Sequence, residues 1–587
     1  MPGKEGDHPA EVRRIQILKI LLAACNAKYI HSNLAVYNLK SCSGEYSHNV
    51  VIKEYTINQI QDDILKDIYL EQPDVICFSC YIWNISFVKE LVPDLKKILP
   101  HVDFWAGGPE VSYDAVEFLK KNPAFFGVMV GEGEETFHEL AGYYIERKPE
   151  NLKEIRGVAF HDETKVPDIV HTGWRELMDL SKVPFAYSNL TEFKNRIIYY
   201  ESSRGCPFSC SYCLSSIDKK LRFRDIELVK NELQFFIDNK VPQVKFVDRT
   251  FNCKHDHAMA IWRYITEHDN GITNFHFEIS ADLLREEELA LMKTMRPGLI
   301  QLEIGVQSTN PQTIKAIRRT MDFEKLKGIV EQIHGFGNIH QHLDLIAGLP
   351  YEGYETFARS FDEIYALKPN QLQLGFLKVL KGSYMYEHAT EYGLIYRSRP
   401  PYEVLKTNWL KFGEILRIRQ VEEMLEVYYN SGQYATAIRL LETQYASAFA
   451  MFAELGTFYE EHGYFGMGHS RMRRAEILLE FAKERRPGVL PVLGEGLVYD
   501  LYERENLGSR PAWAADANEW KQMTRQYGKN GKQSHIERFF YRFSGHRQDT
   551  ASLPERLEDP VYVRFDYTRR DPLDHQAQHE YLEYSGE

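Results

Sequence analysis

Short apolar runs rich in β-branched residues recur along the chain up to about Gly382, each followed by a stretch with apolar residues at helical spacing. In the first series, IQILKILLAA (Ile15 to Ala24), VVIKEYTI (Val50 to Ile57), PDVICFSCYI (Pro73 to Ile82), VDFWAGG (Val102 to Gly108) and FFGVMVGEGEE (Phe125 to Glu135) read as strands. Intervening segments such as SFVKELVPDLKKILP read as helices. Strands separated by helices pair mostly in parallel, because a parallel pair needs a crossover long enough to hold a helix. Residues 14–150 are therefore expected to form a doubly wound α/β domain, with its ligand beyond the carboxyl ends of the strands.

After the Pro-containing connection LMDLSKVPFAYSNL a second series begins: RIIYYESS, VKFVDRTF, NFHFEISADLL, LIQLEIGVQS, HLDLIAGLP and QLQLGFLKVL. Six βα units predict a (βα)6 partial barrel over residues 190–385, with its chemistry at the strand C-termini. From residue 400 to 587 the pattern becomes mainly helical, as in ILRIRQVEEMLEVYYNSGQYATAIRLLETQYASAFAMFAEL, with ENLGSRPAWAADANEW and YGKNGKQSH as loops and FFYRFSG and PVYVRFDY as late strands. This third domain carries no motif that converts into chemistry.

Composition narrows the compartment and the partners. No apolar run precedes a small-residue cleavage site near Met1, and no segment approaches about 18 uncharged apolar residues. The expectation is a cytoplasmic protein without a membrane span. Eight cysteines in 587 residues, three of them clustered, do not resemble a disulfide framework and suit a reducing compartment. The net charge of -13 disfavours nucleic acid as a partner.

The clustered cysteines, Cys206, Cys210 and Cys213, lie in ESSRGCPFSCSYCLSS, directly after the first strand of the second series. A C-x3-C-x2-C loop can hold three irons of a cubane cluster and leave the fourth without a protein ligand. A structural zinc site needs a fourth Cys or His at short spacing, and none follows Cys213 closely. Gly205 and Pro207 shape a tight loop, and Tyr212 is placed to cover the cluster's face.

This stretch resembles the radical S-adenosylmethionine superfamily over about Asn195 to Gly382. The resemblance implies that Cys206, Cys210 and Cys213 bind a 4Fe-4S cluster whose fourth iron is chelated by S-adenosylmethionine, and that reductive cleavage releases a 5'-deoxyadenosyl radical. It further implies nucleoside or methionine contacts from Asp248 in FVDRTF, Glu303 and Gln307 in LEIGVQS, Arg319 in IRR and Gly348 in DLIAGLP. An electron donor such as flavodoxin or ferredoxin is the implied partner.

The first domain lacks G-x-G-x-x-G after its first strand, which argues against a dinucleotide site. It resembles the cobalamin-binding domain that precedes many such enzymes, through Ser79 in SCYIWN, Gly107 and Gly108 in WAGGPEVS, and GEGEETF. Missing side chains at Gly107 and Gly108 are expected to let the corrin approach the backbone. Proteins that ligate cobalt from below carry D-x-H-x-x-G, whereas here Tyr29 and Leu34 flank His31, so His31 is expected to line the loop without binding cobalt. Cys77 and Cys80 have redox-motif spacing but sit in an apolar strand, where core packing is expected.

The whole chain resembles cobalamin-dependent radical S-adenosylmethionine proteins with a C-terminal domain of unknown function, relatives of the anaerobic magnesium-protoporphyrin monomethyl ester cyclase. Radical methyl transfer to an unactivated carbon of a small-molecule or peptide substrate is the first reading. Ring formation or rearrangement with the same cofactors is the second, and a non-catalytic cobalamin sensor or assembly factor the third. Tyr567 and Arg569 in the C-terminal domain are candidate substrate contacts, with packing and surface charge as their ordinary roles.

Overall fold

The computed structural model describes residues 18–146, 152–162, 168–217, 219–528, 533–543 and 552–582. The start of the first expected strand (residues 15–17), residues 14 and 147–150 of the first expected domain, and parts of YGKNGKQSH and FFYRFSG lie outside them. The chain divides into two compact units. One runs up to Tyr200 and includes Phe223–Asp225 and Arg399–Pro401; the other takes Glu201–Arg222, Ile226–Ser398 and the chain from Tyr402 onward.

The first unit is built on a seven-stranded sheet: β1 (Ile20–Asn26), β2 (Val50–Thr56), β3 (Val75–Ser79), β4 (Asp103–Gly107), β5 (Gly127–Met129), β6 (Val158–His161) and β7 (Ile169–His171). The order is β2-β1-β3-β4-β5-β6-β7, parallel through β5 and antiparallel at the last two. Alternate residues of the central strands feed two cores. Leu21, Ala23, Ile76, Phe78 and Phe104 pack on one face, and Ile20, Leu22, Val75, Cys77 and Trp105 on the other. The strands are continuously apolar because helices cover both faces. Helix Ile85–Ile98 lays Val88, Leu91, Val92 and Leu95 on the first face, at the i, i+3, i+4, i+7 spacing of a helix stripe. Helix Glu134–Ile145 lays Phe137, Leu140 and Ala141 on the second. The chain passes from β1 to β2 on one side and to β3 on the other, so the loops after β1 and β3 open a crevice at their carboxyl ends.

All six strands expected of the second series form. Ile198–Tyr200 (β8) leads into the cysteine loop, and within the second unit β9 (Gln243–Phe246), β10 (Asn274–Ile279), β11 (Ile300–Gln307), β12 (His340–Ala347) and β13 (Gln371–Phe376) pair in parallel, each with the next. In β11 buried Ile300, Leu302, Ile304 and Val306 alternate with half-buried Gln301, Glu303, Gly305 and Gln307. Such alternation buries one face under helices and leaves a polar face.

Beyond residue 400 the helices Phe412–Leu425, Ala435–Glu442, Ala448–Glu461, Arg471–Arg485 and Leu490–Arg504 precede an antiparallel sheet of β14 (Ser534–Phe539), β15 (Val561–Arg570) and β16 (Ala577–Leu582). Tyr499 joins helix to sheet, its ring 5.3–5.6 Å from those of Phe539, Phe543, Phe565 and His579. Of the two late strands expected, PVYVRFDY falls on β15, whereas β14 lies ahead of FFYRFSG, meeting it only at Phe539 and beginning in the expected loop YGKNGKQSH; the third strand, like β6 and β7, was not read from the sequence. No described helix is long and apolar enough to cross a membrane.

Candidate functional site

The cysteine loop is fixed at its entry by a buried carboxylate and at its far end by backbone hydrogen bonds. At its entry, Asp248 is fully buried and accepts from Ser202 N (3.0 Å), Ser202 Oγ (2.7 Å) and Ser203 Oγ (2.6 Å). Burial pushes its carboxyl up to about 6, against the pull of these serine bonds. Ser202 Oγ also lies 3.0 Å from His257 Nε2. Asp248, expected at the nucleoside, thus spends both oxygens on the residues that lead into the loop. Gly205 has φ +97, and a Cβ there would meet the Lys220 carbonyl at 2.7 Å, so this tight turn requires glycine. Near the loop's far end Ser211 N donates to Ile317 O and Met385 N donates to Ser211 O, both at 2.9 Å.

Cys206 and Cys210 are buried, Cys213 is partly exposed, and all three are free thiols. Among the described residues no three His, Cys, Asp or Glu side chains converge on a single ion. A cubane makes a different demand, since each thiolate would bond its own iron, so three cysteines on one loop fit a cluster without converging on one ion. Arg319 closes one side. Its Nη1 lies 3.9 Å from Cys210 Sγ and 3.4 Å from the Tyr212 hydroxyl, and Nη2 donates to Gly305 O. Burial pushes the Cys210 thiol up while the Arg319 charge opposes that shift, which favours the thiolate a metal needs. Cys206 Sγ is 3.8 Å from Thr250 Oγ1. Cys253, on the turn after β9, is close enough to Cys206 to feel its charge, a proximity the sequence spacing did not disclose.

The other expected contacts fall on the same sheet. Gln307 ends β11 at φ +75, where the pairing with β12 slips. Glu303 stands 3.2 Å from Lys245 Nζ and 3.1 Å from His276 Nε2. Burial opposes its ionisation, yet His276 and Lys245 outweigh burial and hold the carboxyl at about 2. Gly348, at φ +88, turns the chain after β12 against Val404. Sequence reasoning missed the neighbours on the polar face: Lys245, His276, Glu278, His342 and Asp344. In register Glu278 pairs with Glu303, and Glu303 with His342. Burial lifts Glu278 to about 7, and His342 Nε2 lies 3.1 Å from Asp344. The signal was present as polar residues at every second position of otherwise apolar strands (HFE, QLEI, HLDL).

In the first unit the structure gives Gly108 of the glycine pair an intramolecular reason. Gly108 has φ +115, and a Cβ there would meet Cys80 O at 2.5 Å; a Cβ on Gly107 would touch Met129 at 3.4 Å. Close packing against Cys80 thus requires glycine at Gly108, whereas the contact a side chain at Gly107 would make is an ordinary one. Ser79 Oγ is 3.3 Å from Asn33 Nδ2, and Asn33 caps helix Leu34–Cys42. His31 Nδ1 lies 2.7 Å from the Tyr199 hydroxyl, and its carbonyl accepts from Asn26 Nδ2. What suits a flat apolar ligand at the crevice is the aromatic surface after β1 and β3: Tyr81 and Trp83 stack at 4.3 Å, and Tyr29, Ile30 and Trp83 are 64%, 46% and 44% exposed. Cys77 and Cys80 are buried in the two opposite cores, their thiols pushed up by burial, as inert packing residues. In the second unit the Tyr567 hydroxyl donates to Tyr502 O, a packing role, and Arg569 is exposed.

A doubly wound sheet and a parallel-sheet unit with a three-cysteine loop define a protein with two cofactor-binding domains in one chain. Comparison with known families places residues 20–141 in the B12 binding domain family, residues 200–364 in the radical SAM superfamily and residues 390–553 in a family described as a protein of unknown function, DUF4080. The chain is thus a radical SAM superfamily protein with an N-terminal B12 binding domain and a C-terminal DUF4080 segment. It is 27% identical over 307 residues to the cobalamin-dependent radical SAM methyltransferase TokK of Streptomyces tokunonensis, covering 49% of this chain and 44% of the relative. It is also 25% identical over 244 residues to the anaerobic magnesium-protoporphyrin IX monomethyl ester cyclase of Synechocystis, covering 38% of this chain and 46% of the relative. The chain therefore spans less than half the length of these curated relatives. In fold it matches the solved structure of OxsB, a cobalamin-dependent S-adenosylmethionine radical enzyme, with a TM-score of 0.57 at 14% identity over 87% of this chain and 84% of that one. TsrM, a radical S-adenosylmethionine methyltransferase from Kitasatospora setae, matches with a TM-score of 0.53 at 16% identity over 65% of this chain and 76% of that one.

Proposed function

We propose that the chain is a cobalamin-dependent radical S-adenosylmethionine methyltransferase that acts on an unactivated carbon. The observation that carries this reading is the loop of Cys206, Cys210 and Cys213, two of them buried, held between the Asp248 anchor and Arg319 at the polar face of a parallel sheet. When bound, a 4Fe-4S cluster with S-adenosylmethionine supplies a carbon-centred radical, and cobalamin supplies a transferable methyl group.

The chain's own residues have definable tasks. The three cysteines hold the cluster as thiolates, and Arg319 neutralises part of their charge while clamping Tyr212 and the β11 carbonyl of Gly305. Gln307, aimed by its left-handed backbone at the end of β11, and Glu303, kept ionised by Lys245 and His276, offer an amide and a carboxylate to the nucleoside or methionine moiety. Tyr81 and Trp83 offer a stacking surface for the corrin in the first unit.

The test is anaerobic reconstitution with iron, sulfide and hydroxocobalamin, followed by assay of S-adenosylmethionine cleavage and mass spectrometry of the organism's metabolites. A product gaining one methylene supports methyl transfer. A product that gains a ring without added carbon supports the second reading, which the cyclase relative motivates. Retention of both cofactors without any cleavage supports the non-catalytic reading.

A further inference from the structure

Asn84 sits just ahead of helix Ile85–Ile98, where an asparagine side chain ordinarily accepts from the first N–H groups of the helix. Here it makes no such cap. Fully buried, it turns its amide the other way: Oδ1 accepts from Tyr81 N at 2.8 Å, and Nδ2 donates to Ser79 O at 2.8 Å and to Cys25 O at 3.0 Å. The backbone closes the same turn, with Asn84 N and Ile85 N both donating to Tyr81 O. One amide thus ties the carboxyl end of β1 to that of β3 and fixes the turn that carries the stacked rings of Tyr81 and Trp83.

A second buried group does the same for the loop after β1. Ala24 of β1 pairs with Ser79 of β3 on one side and with Glu54 of β2 on the other, so Glu54 stands level with Ser79 across the central strand. Its side chain is 5% exposed. Oε1 accepts from Asn26 Nδ2 and Asn33 N, both at 2.8 Å, and so holds the two ends of the loop at once. Oε2 accepts from the Tyr37 hydroxyl at 2.7 Å and from Arg196 Nη1, whose guanidinium lies 4.9 Å from the centre of the Tyr29 ring. Asn26 Nδ2 also donates to His31 O. A buried carboxyl group needs its oxygens hydrogen-bonded, and four donors meet that need here. Both loops nonetheless end in exposed apolar surface, Tyr29 and Ile30 on one and Trp83 on the other. Rings fixed from below while their faces stay in water have met their ordering cost before any ligand arrives.

We infer that Glu54 and Asn84 are positioning residues that pre-organise the cobalamin crevice: they hold the loops after β1 and β3 so that Tyr29 and the Tyr81–Trp83 stack meet the corrin without rearrangement. This rests on the reading, proposed above, that the corrin lies on Tyr81 and Trp83. Each of the two acts through the loop it holds, Asn84 through the Tyr81 turn and Glu54 through the segment from Asn26 to Asn33.

The test is a pair of double-mutant cycles on the full chain, read by titration with hydroxocobalamin and visible absorbance. Trp83→Ala and Asn84→Ala are each expected to weaken binding about tenfold or more, and the double variant to lose little beyond the larger single loss, because a ring already set loose has no further contact to give up. Asn84→Asp keeps the acceptor for Tyr81 N and loses both donors, and serves in the same cycle if the alanine variant does not fold. Glu54→Gln keeps the size of the side chain and leaves the Arg196 charge unanswered; its loss and that of Tyr29→Ala are expected to be non-additive in the same way. A residue that only supports the fold gives losses that add, since it acts on every contact alike. Additive losses in both cycles overturn the inference, as does wild-type affinity in the Asn84 and Glu54 variants. A Trp83→Ala protein that binds hydroxocobalamin like wild type instead overturns the stacking reading on which the inference rests.

Discussion

Asp248 illustrates how a residue can serve a site by holding the loop that forms it. Three donors from Ser202 and Ser203 converge on its two oxygens in a fully buried setting. Asp248→Ala strands the Ser202 N–H and both hydroxyls, which is expected to cost about 1–3 kcal/mol per unsatisfied backbone donor and to loosen the entry to the cysteine loop. Asp248→Asn keeps one acceptor and lets the hydroxyls turn to accept from the amide, so it is the milder change. Denaturant unfolding and iron retention after reconstitution check the order; an alanine variant as stable and as iron-rich as wild type contradicts the positioning role. Gly108 makes the complementary case. Because its Cβ would strike Cys80 O at φ +115, Gly108→Ala is expected to destabilise the first unit by about 1–3 kcal/mol whether or not cobalamin is present. A variant that unfolds like wild type yet fails to retain cobalamin would return the glycine to the ligand.

At the scale of elements, the helical C-terminal region is tied together by a buried carboxylate. Asp500, in helix Leu490–Arg504, accepts from Thr436 N and Ala437 N at 2.9 Å each and so caps helix Ala435–Glu442 from outside. Burial lifts its carboxyl from 3.8 to about 6, the backbone bonds pulling the other way. A raised folded value means that the native state holds the proton more tightly, so this contribution to stability is complete below about pH 4 and is lost as pH rises through 6. Asp500→Asn lacks that loss. It is expected to be less stable than wild type at pH 4.5, by about 1–3 kcal/mol for the unpaired donor, with the gap narrowing by pH 7. Chemical unfolding at the two pH values decides this, and a gap that widens with pH contradicts it. The first parallel series was legible because strands covered on both faces are written as continuous apolar runs, as in VICFS, and the second through apolar residues at every other position, as in IQLEIGVQ. The strands β6, β7 and β16 were not, since VAFH and IVH are only four and three residues long and AQHEYL is mostly polar. The cysteine triad could be read from spacing alone. The Lys245, His276 and Glu303 cluster could not, because it is assembled by register across three strands far apart in sequence. The reason for Gly108 was hidden likewise, lying in the Cys80 backbone one strand away.

At the scale of the whole molecule, each sheet unit brings a separate cofactor surface, and the two claims can fail independently. The first unit offers rings and no cobalt-binding motif of the D-x-H-x-x-G kind; His31 is engaged at Nδ1 by Tyr199. Cobalamin is therefore expected to bind without a histidine ligand below. The electron paramagnetic resonance spectrum of the bound cob(II)alamin will lack splitting by one nitrogen nucleus, and splitting that disappears in His31→Ala would refute this. The central claim, that Cys206, Cys210 and Cys213 together hold a 4Fe-4S cluster, is tested most directly by counting iron and sulfide in anaerobically reconstituted protein. Wild type and Cys253→Ala are predicted to hold four of each per chain, with the axial resonance of a reduced cubane after dithionite. Any single alanine change in the triad is predicted to lose that resonance and all S-adenosylmethionine cleavage. A triple variant that still binds four irons, or a Cys253→Ala protein that binds none, would contradict the account.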